Sequence, residues 1–493
     1  MSRSLRWSRF ASITSIVACG GLTACDKAGP AVPVCDEATA ERIEFDPASP
    51  VILERLNGVQ LLAVRVVNEC GRTQAVASSG ITWQSDAVSV ATVEAVLNAT
   101  MPTGLVRAVG FGEATISATA HGTTSVLDVE VRRPAPEASG FTVLDSGNVA
   151  PYTTDLWVHG NFAYTGSQPW SCPGGMCQGV TGWLYIWSVT PGGAIAKVDS
   201  LAIPAPKIND IKVSADGTFA VASLELGGAA NGIVVLDLAN PASPAIVTHY
   251  TSELEHGVHN VWIERISQRD YVFVAVTGGD HQGVHVLDVT ERSAPVRVAL
   301  FYGGSSLVHD VYVRDGLAFV SHWDAGLVIL DVGHGMMGGT PESPVEVSRV
   351  MTAGGNVHNA WYWPAAGLVF VGEEQFPPPD RIEEVGVMHV VDVSDMTAPV
   401  EIARFGVPGQ TPHNFWLDED RGILFAAWYQ NGLRAVNVSG ELSGDLAGQG
   451  RELGHVIPSG AHGGSSIWAP QIHDGVIYIS DIYNGIWSVR FDR

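Results

Sequence analysis

The stretch His309-Asp310-Val311-Tyr312-Val313-Arg314-Asp315-Gly316-Leu317-Ala318-Phe319-Val320, continued by Asp324-Ala325-Gly326-Leu327-Val328-Ile329-Leu330-Asp331-Val332, decides the fold. It reads as strand, Asp-Gly turn, strand, glycine turn, strand. Asp-Gly between β-branched and aromatic runs is a hairpin signal, because a tight primed turn needs positive φ at both central residues. A fourth run follows, Val345-Glu346-Val347-Ser348-Arg349-Val350. Four antiparallel strands per unit make a propeller blade.

The same frame recurs at steps of roughly 50 residues, the size of a blade. First strands open at Thr154-Asp155, Asn209-Asp210, His259-Asn260, His309-Asp310, His358-Asn359, His413-Asn414 and Trp468-Ala469. These openings predict a seven-bladed β-propeller over residues 139–493. The last unit shows three strands, whereas Phe141-Thr142-Val143-Leu144-Asp145 is a spare strand before the first unit. The spare is expected to complete the last blade and latch the ring, which removes an open sheet edge. Eight blades or an open solenoid are the rivals, and neither uses both the gap and the spare.

The third strands Ile233-Val234-Val235-Leu236-Asp237-Leu238, Val284-His285-Val286-Leu287-Asp288-Val289 and Met388-His389-Val390-Val391-Asp392-Val393 are followed by an Asp-Val-x-x-x-x-x-Pro spacing at Asp288 to Pro295 and Asp392 to Pro399. These features resemble the LVIVD repeat family over about 350 residues. The resemblance implies a propeller in an exported protein. It supplies no reaction and no catalytic residues.

Upstream, residues 41–133 alternate short apolar runs with turns, which predicts a β-sandwich. Trp83-Gln84-Ser85 leading into Val90-Ala91-Thr92-Val93, and the closing Gly112-Glu113-Ala114-Thr115-Ile116, resemble the bacterial Ig-like group 2 domain. That likeness implies a spacer or adhesion module without chemistry. Arg132-Arg133-Pro134-Ala135-Pro136 reads as a stiff linker. The expected class is therefore all-β, an N-terminal Ig-like sandwich followed by a propeller.

The first 25 residues read as an export signal. Arg3, Arg6 and Arg9 precede an apolar run, Phe10 to Ala24, too short to span a bilayer as a helix. The run ends in Leu22-Thr23-Ala24-Cys25, which resembles the bacterial lipobox and implies acylation of Cys25. An ordinary secretory signal with an incidental cysteine is the rival. Residues 26–40 form a polar tether. The implied location is the cell envelope, on the periplasmic face or the cell surface.

Four cysteines lie beyond the signal and Cys25: Cys35, Cys70, Cys172 and Cys177. In an exported chain an even remainder suggests two disulfides, Cys35 with Cys70 and Cys172 with Cys177. Zinc is the rival, but the spacing is poor and no histidine adjoins either pair. The formal net charge of −24 argues against nucleic acid as a partner.

Chemistry is expected at one mouth of the channel. His259, His309, His358 and His413 occupy one frame position in successive units, with Thr154, Asn209 and Trp468 there in the others. As repeated structural devices, such residues cap inner turns and bond the neighbouring blade. As ligands, four converging imidazoles bind a divalent transition metal. Loops between second and third strands are expected on the same face, bringing Asp324, Glu373 and Glu374, while Asn209 and Trp468 complete a ligand-binding rim. Glu373 or Glu374 would finish a metal shell or act as a general base. Pro377-Pro378-Pro379 would stiffen a covering loop at 375–386, and a second covering loop is expected at 167–181. Trp157, Trp262, Tyr312, Trp361 and Trp416 are expected to fill space between blades.

The chain shows no Gly-x-Ser-x-Gly, His-Glu-x-x-His, phosphate loop or Cys-x-x-Cys-His. The expected function is thus a non-catalytic envelope protein that binds a ligand or protein partner. The alternative is a metal-dependent propeller enzyme, an oxidoreductase or lactonase-like hydrolase.

Overall fold

The computed structural model describes residues 40–493 apart from 49, 97–100, 150–151, 170–176, 178–179, 305–306 and 377–384. The export signal, Cys25, the tether, Cys35, Cys172 and the triple proline therefore lie outside the described residues, as does most of the 167–181 loop. Among the described residues no helix is long and apolar enough to cross a membrane.

Residues 40–131 form two facing sheets. One contains Ala40–Asp46, Val59–Asn68, Thr103–Ala108 and Ala91–Val96; the other contains Val51–Leu53, Thr123–Val131, Gly112–Ala120 and Thr82–Ser85. Alternation in these strands sends Leu62, Val106, Ile116 and Leu127 into a common core. Gly104 is required there, because a Cβ would stand 2.9 Å from the Trp83 ring.

Among the described residues seven sheets follow, each with four strands at its core. Their first strands are Tyr152–His159, Lys207–Val213, Val258–Ile266, Asp310–Arg314, Val357–Trp363, Phe415–Asp418 and Ile467–His473. Second and third strands are almost wholly buried, as in Leu317–Ser321 and Leu327–Asp331. This explains their near-continuous apolar runs: each is covered by the next sheet on both faces. The seventh sheet takes its outer strand from Phe141–Gly147, antiparallel to Gly485–Phe491. Glu137–Ser139 adds a further strand to the outer edge of the sixth sheet, which the sequence pattern did not indicate. Gln471 of the last sheet bonds Val158 N and O of the first (2.6 and 2.9 Å), joining the two ends of the series. The arrangement is a β-propeller.

The sandwich touches the propeller at the loops of the last sheets. Leu56 N donates to His462 O and Gly464 N to Glu54 O, both at 3.0 Å. The Arg55 guanidinium lies 4.5 Å over the Tyr483 ring and bonds its hydroxyl.

Candidate functional site at the channel mouth

The inner strands carry three layers of side chains down the axis. In five sheets the register shifts within or beside the frame pair, for example between Thr153 and Leu156 and between Val258 and Val261. A bulge opposes two residues to one and re-aims their side chains. The frame residue and its Asn or Asp successor are therefore both available to the axis.

At the mouth the four histidines form an arc. Ring centroids are 4.2 Å apart from His259 to His309, 4.1 Å from His309 to His358 and 4.2 Å from His358 to His413. Trp468 continues it, 4.2 Å from His413. Three of the histidines are anchored through Nδ1. That of His309 lies 3.0 Å from His358 O, and that of His413 2.6 Å from Trp468 O. A carbonyl oxygen only accepts, so Nδ1 carries the proton in both and Nε2 keeps its lone pair. Nδ1 of His259 lies 2.7 Å from Glu225 Oε1, whose other oxygen pairs with Lys207 at 2.8 Å. Burial pushes the Glu225 carboxyl up, but His259 and Lys207 outweigh it and hold the group well below the usual range.

His358 differs. It is 1% exposed, and neither ring nitrogen makes a hydrogen bond of good geometry; the adjoining Asn359 side chain is its polar neighbour. Burial lowers its pKa to about 4; burial and neighbouring imidazoles hold His309 and His413 low as well. These three rings are neutral at pH 7.

Glu374 is the carboxylate that joins the arc. Ligand atoms of His309, His358 and Glu374 all lie within 4.8 Å of one another. One Glu374 oxygen accepts from the Tyr429 hydroxyl. Tyr429 and Trp323 hold equivalent loop positions, bridge to Ile467 and Val357 of the following sheets, and have φ of 44° and 42°. Bulky residues in that region are strained. The Trp323 ring stacks at 5.2 Å and 25° on His309, and Tyr429 stands 5.0 Å from His413.

The remaining expected site residues fall elsewhere. Glu373 turns away from the arc: its Oε1 accepts from Gly354 N at 2.9 Å and lies 3.0 Å from His389 Nε2, with Glu401 3.2 Å beyond the other ring nitrogen. Asn209 is buried and donates to His259 O (2.9 Å) and Asn260 Oδ1 (3.2 Å), which binds neighbouring sheets together. Asp324 is exposed on the loop beside Trp323.

Below the arc lies a polar layer. Lys212 reaches Asp155 Oδ2 at 3.5 Å and bonds Asp210; Asp310, Asn260, Asn359 and Asn414 line the same narrow cavity. Below that, Trp157, Trp262, Tyr312, Trp361 and Trp416 form a closed circuit with centroid separations of 4.5–5.9 Å. These rings were expected between blades. Trp157, Trp262 and Trp361 do pack on the inter-sheet clusters, but the five also meet one another around the axis.

The chain carries LVIVD repeats on its β-propeller fold: the LVIVD repeat model matches residues 150–169, 227–252 and 306–352. Among solved structures, the Cps50 (Swd1) β-propeller domain of Myceliophteria thermophila is similar at 11% identity and a TM-score of 0.48, covering 70% of this chain and 99% of that one. The C-terminal WD40 domain of Sif2 is similar at 14% identity and a TM-score of 0.44, covering 77% and 89%. No curated protein matches the chain.

Proposed function

We propose that this protein is a lipid-anchored component of the bacterial envelope. Its ring of seven blades presents the histidine-lined mouth as a binding site, carried by an Ig-like group 2 domain. The observation that carries this reading is the mouth itself. Trp323, Tyr429 and Trp468 wall it, two of them in strained backbone, over a floor of buried neutral imidazoles. Strain of this kind persists only where surrounding structure enforces it, and it gathers at ligand sites. The anchor rests on the arginine start and the Leu22-Thr23-Ala24-Cys25 box. The disulfides Cys35–Cys70 and Cys172–Cys177 are supported by the bonded state of Cys70 and Cys177.

One observation favours the second reading, a metal-dependent oxidoreductase or lactonase-like hydrolase: the approach of His309, His358 and Glu374. The binding reading is tested on the full chain in a bacterial host. A photo-crosslinking residue is placed at exposed position 324, or at exposed position 439 on the opposite face. Crosslinked protein, or added mass, from 324 and not from 439 is the expected result. Labelled palmitate should enter the parent and not Cys25→Ser. Equal crosslinking at both positions, or labelling of Cys25→Ser, overturns the corresponding half.

A further inference from the structure

Among the described histidines of the arc, His358 alone has neither ring nitrogen in a hydrogen bond of good geometry. Burying an imidazole with two unsatisfied nitrogens costs on the order of 1–3 kcal/mol for each polar group. A purely structural device would not leave it so. His309 and His413 show what the structural solution looks like at this frame position, a Nδ1 proton given to the next sheet's carbonyl. His358 departs from that solution: its Nδ1 makes no such bond to the next frame residue, His413.

Its neighbours fit a ligand set. His309 gives its Nδ1 proton to a carbonyl, which fixes the ring and leaves Nε2 basic. This is the outer-shell arrangement that metal-binding histidines use. Glu374 has one oxygen held by Tyr429 and the other free of any hydrogen bond described above. Ligand atoms at about 2.1 Å from a tetrahedral ion stand about 3.4 Å from one another. The three groups lie within 4.8 Å, so small side-chain rotations close the set. Two imidazoles and a carboxylate suit a borderline divalent ion and disfavour calcium or magnesium, which take oxygen ligands.

We infer that His309, His358 and Glu374 bind one zinc-like divalent transition-metal ion at the channel mouth, leaving its remaining coordination position facing Trp323, Tyr429 and Trp468. His259 and His413 flank the ion. Glu373, one residue from Glu374, is not a ligand, because it is committed to His389. The inference rests on the mouth being the binding face and names what that face presents: a Lewis-acidic ion suited to a carboxylate, phosphate or imidazole group of an incoming partner.

The test uses the full-length protein stripped with chelator, with cobalt(II) as optical reporter and zinc as competitor. One equivalent of cobalt with the intense visible bands of low coordination number is expected, displaced by one equivalent of zinc. Glu374→Gln keeps shape and should weaken zinc binding at least 10-fold, the loss typical of even an outer-shell partner. His358→Phe fills the same space and should abolish the bands while a native near-ultraviolet circular dichroism spectrum reports the fold. His334→Ala, at an exposed histidine after the third strand Leu327–Asp331 and so on the opposite face, should change neither. Absence of binding, or unchanged affinity in both Glu374→Gln and His358→Phe, overturns the inference. Crosslinking from position 324 by stripped protein would leave the binding reading standing when the metal site fails.

Discussion

Lys212 stands among the channel carboxylates Asp155, Asp210 and Asp310, so its removal gives a calculable penalty. Its ammonium bonds Asp210, lies 3.5 Å from Asp155 Oδ2 and sits 5.1 Å from the Trp157 ring centre. Asp210 in turn accepts Val261 N at 2.9 Å, and Asp155 accepts Asn414 Nδ2 at 3.2 Å. Side-chain exposures are 11% for Lys212, 1% for Asp210 and 7% for Asp155, so solvent screens little. Removing one partner of such a pair costs about 3–5 kcal/mol. For about 350 residues the unfolding entropy is roughly 0.7 kcal/mol/K, so Lys212→Met should lower the apparent Tm by about 4–7 °C. The penalty should depend on pH. Asp155 and Asp310 are already held above the ordinary carboxylate value, mainly by burial. A raised carboxyl pKa contributes stability fully below the unfolded value and loses it as pH rises through the folded value. Without the lysine that loss deepens, so the gap to the parent should be widest near pH 7 and shrink toward about pH 4. Lys212→Met/Asp210→Asn should recover much of the loss. Melting curves followed by tryptophan fluorescence measure both. A Tm within about 1 °C of the parent at pH 7, or a gap independent of pH, refutes the reasoning.

Three further outcomes are expected. Asp331 accepts five backbone N–H groups, from Gly333, His334, Gly335, Met337 and Gly339; burial opposes ionisation, but these donors lower its pKa to about 2. Asp331→Asn should therefore cost at least about 2 kcal/mol at pH 7, and denaturant titrations should show the gap closing as acid protonates the parent between about pH 4 and 2. Gly316→Ala should be strongly destabilising, because φ is 74° and a Cβ would meet His334 N at 2.4 Å, whereas Gly335→Ala, at φ 86° in open space, should cost only about 1 kcal/mol; comparable melting points would contradict this. Arg55→Ala removes the bond and ring contact to Tyr483 and should speed protease cleavage of the 132–136 linker without changing the propeller's melting point.

The ring was legible because each unit repeats one hydrophobic pattern, and a one-residue slip would turn every side chain to the wrong face. The Asp315-Gly316 turn appears as read, with φ of 55° and 74°. The site was legible in part. Histidine spacing placed four rings at one level, but spacing cannot say where Nδ1 points, so the distinction between the anchored His309 and the unanchored His358 needed coordinates. Glu373 and Glu374 are sequence neighbours, and successive extended residues face opposite ways; composition could not say which of them faces the arc. Lys212 and Gln471 stand three residues after their frame positions, where five other units carry an aromatic. That substitution pattern was visible and marks the two sheets that contribute no ring to the aromatic circuit. Glu225 carried no signal, because it closes a second strand, Phe219–Glu225, whose partner His259 belongs to the next sheet.

The pairing of Phe141–Gly147 with Gly485–Phe491 imposes an order of events on the living cell. The strand that seals the circle is translated more than three hundred residues before its mate. Until the mate is made, six sheets can stack one upon another, yet the circle stays open and two strand edges stay unpaired. Sealing is thus a late, long-range step, and folding through such distant pairings is slow. Any factor that shields an open β-edge would act on this protein in that interval, and a stalled or truncated chain would display those edges permanently.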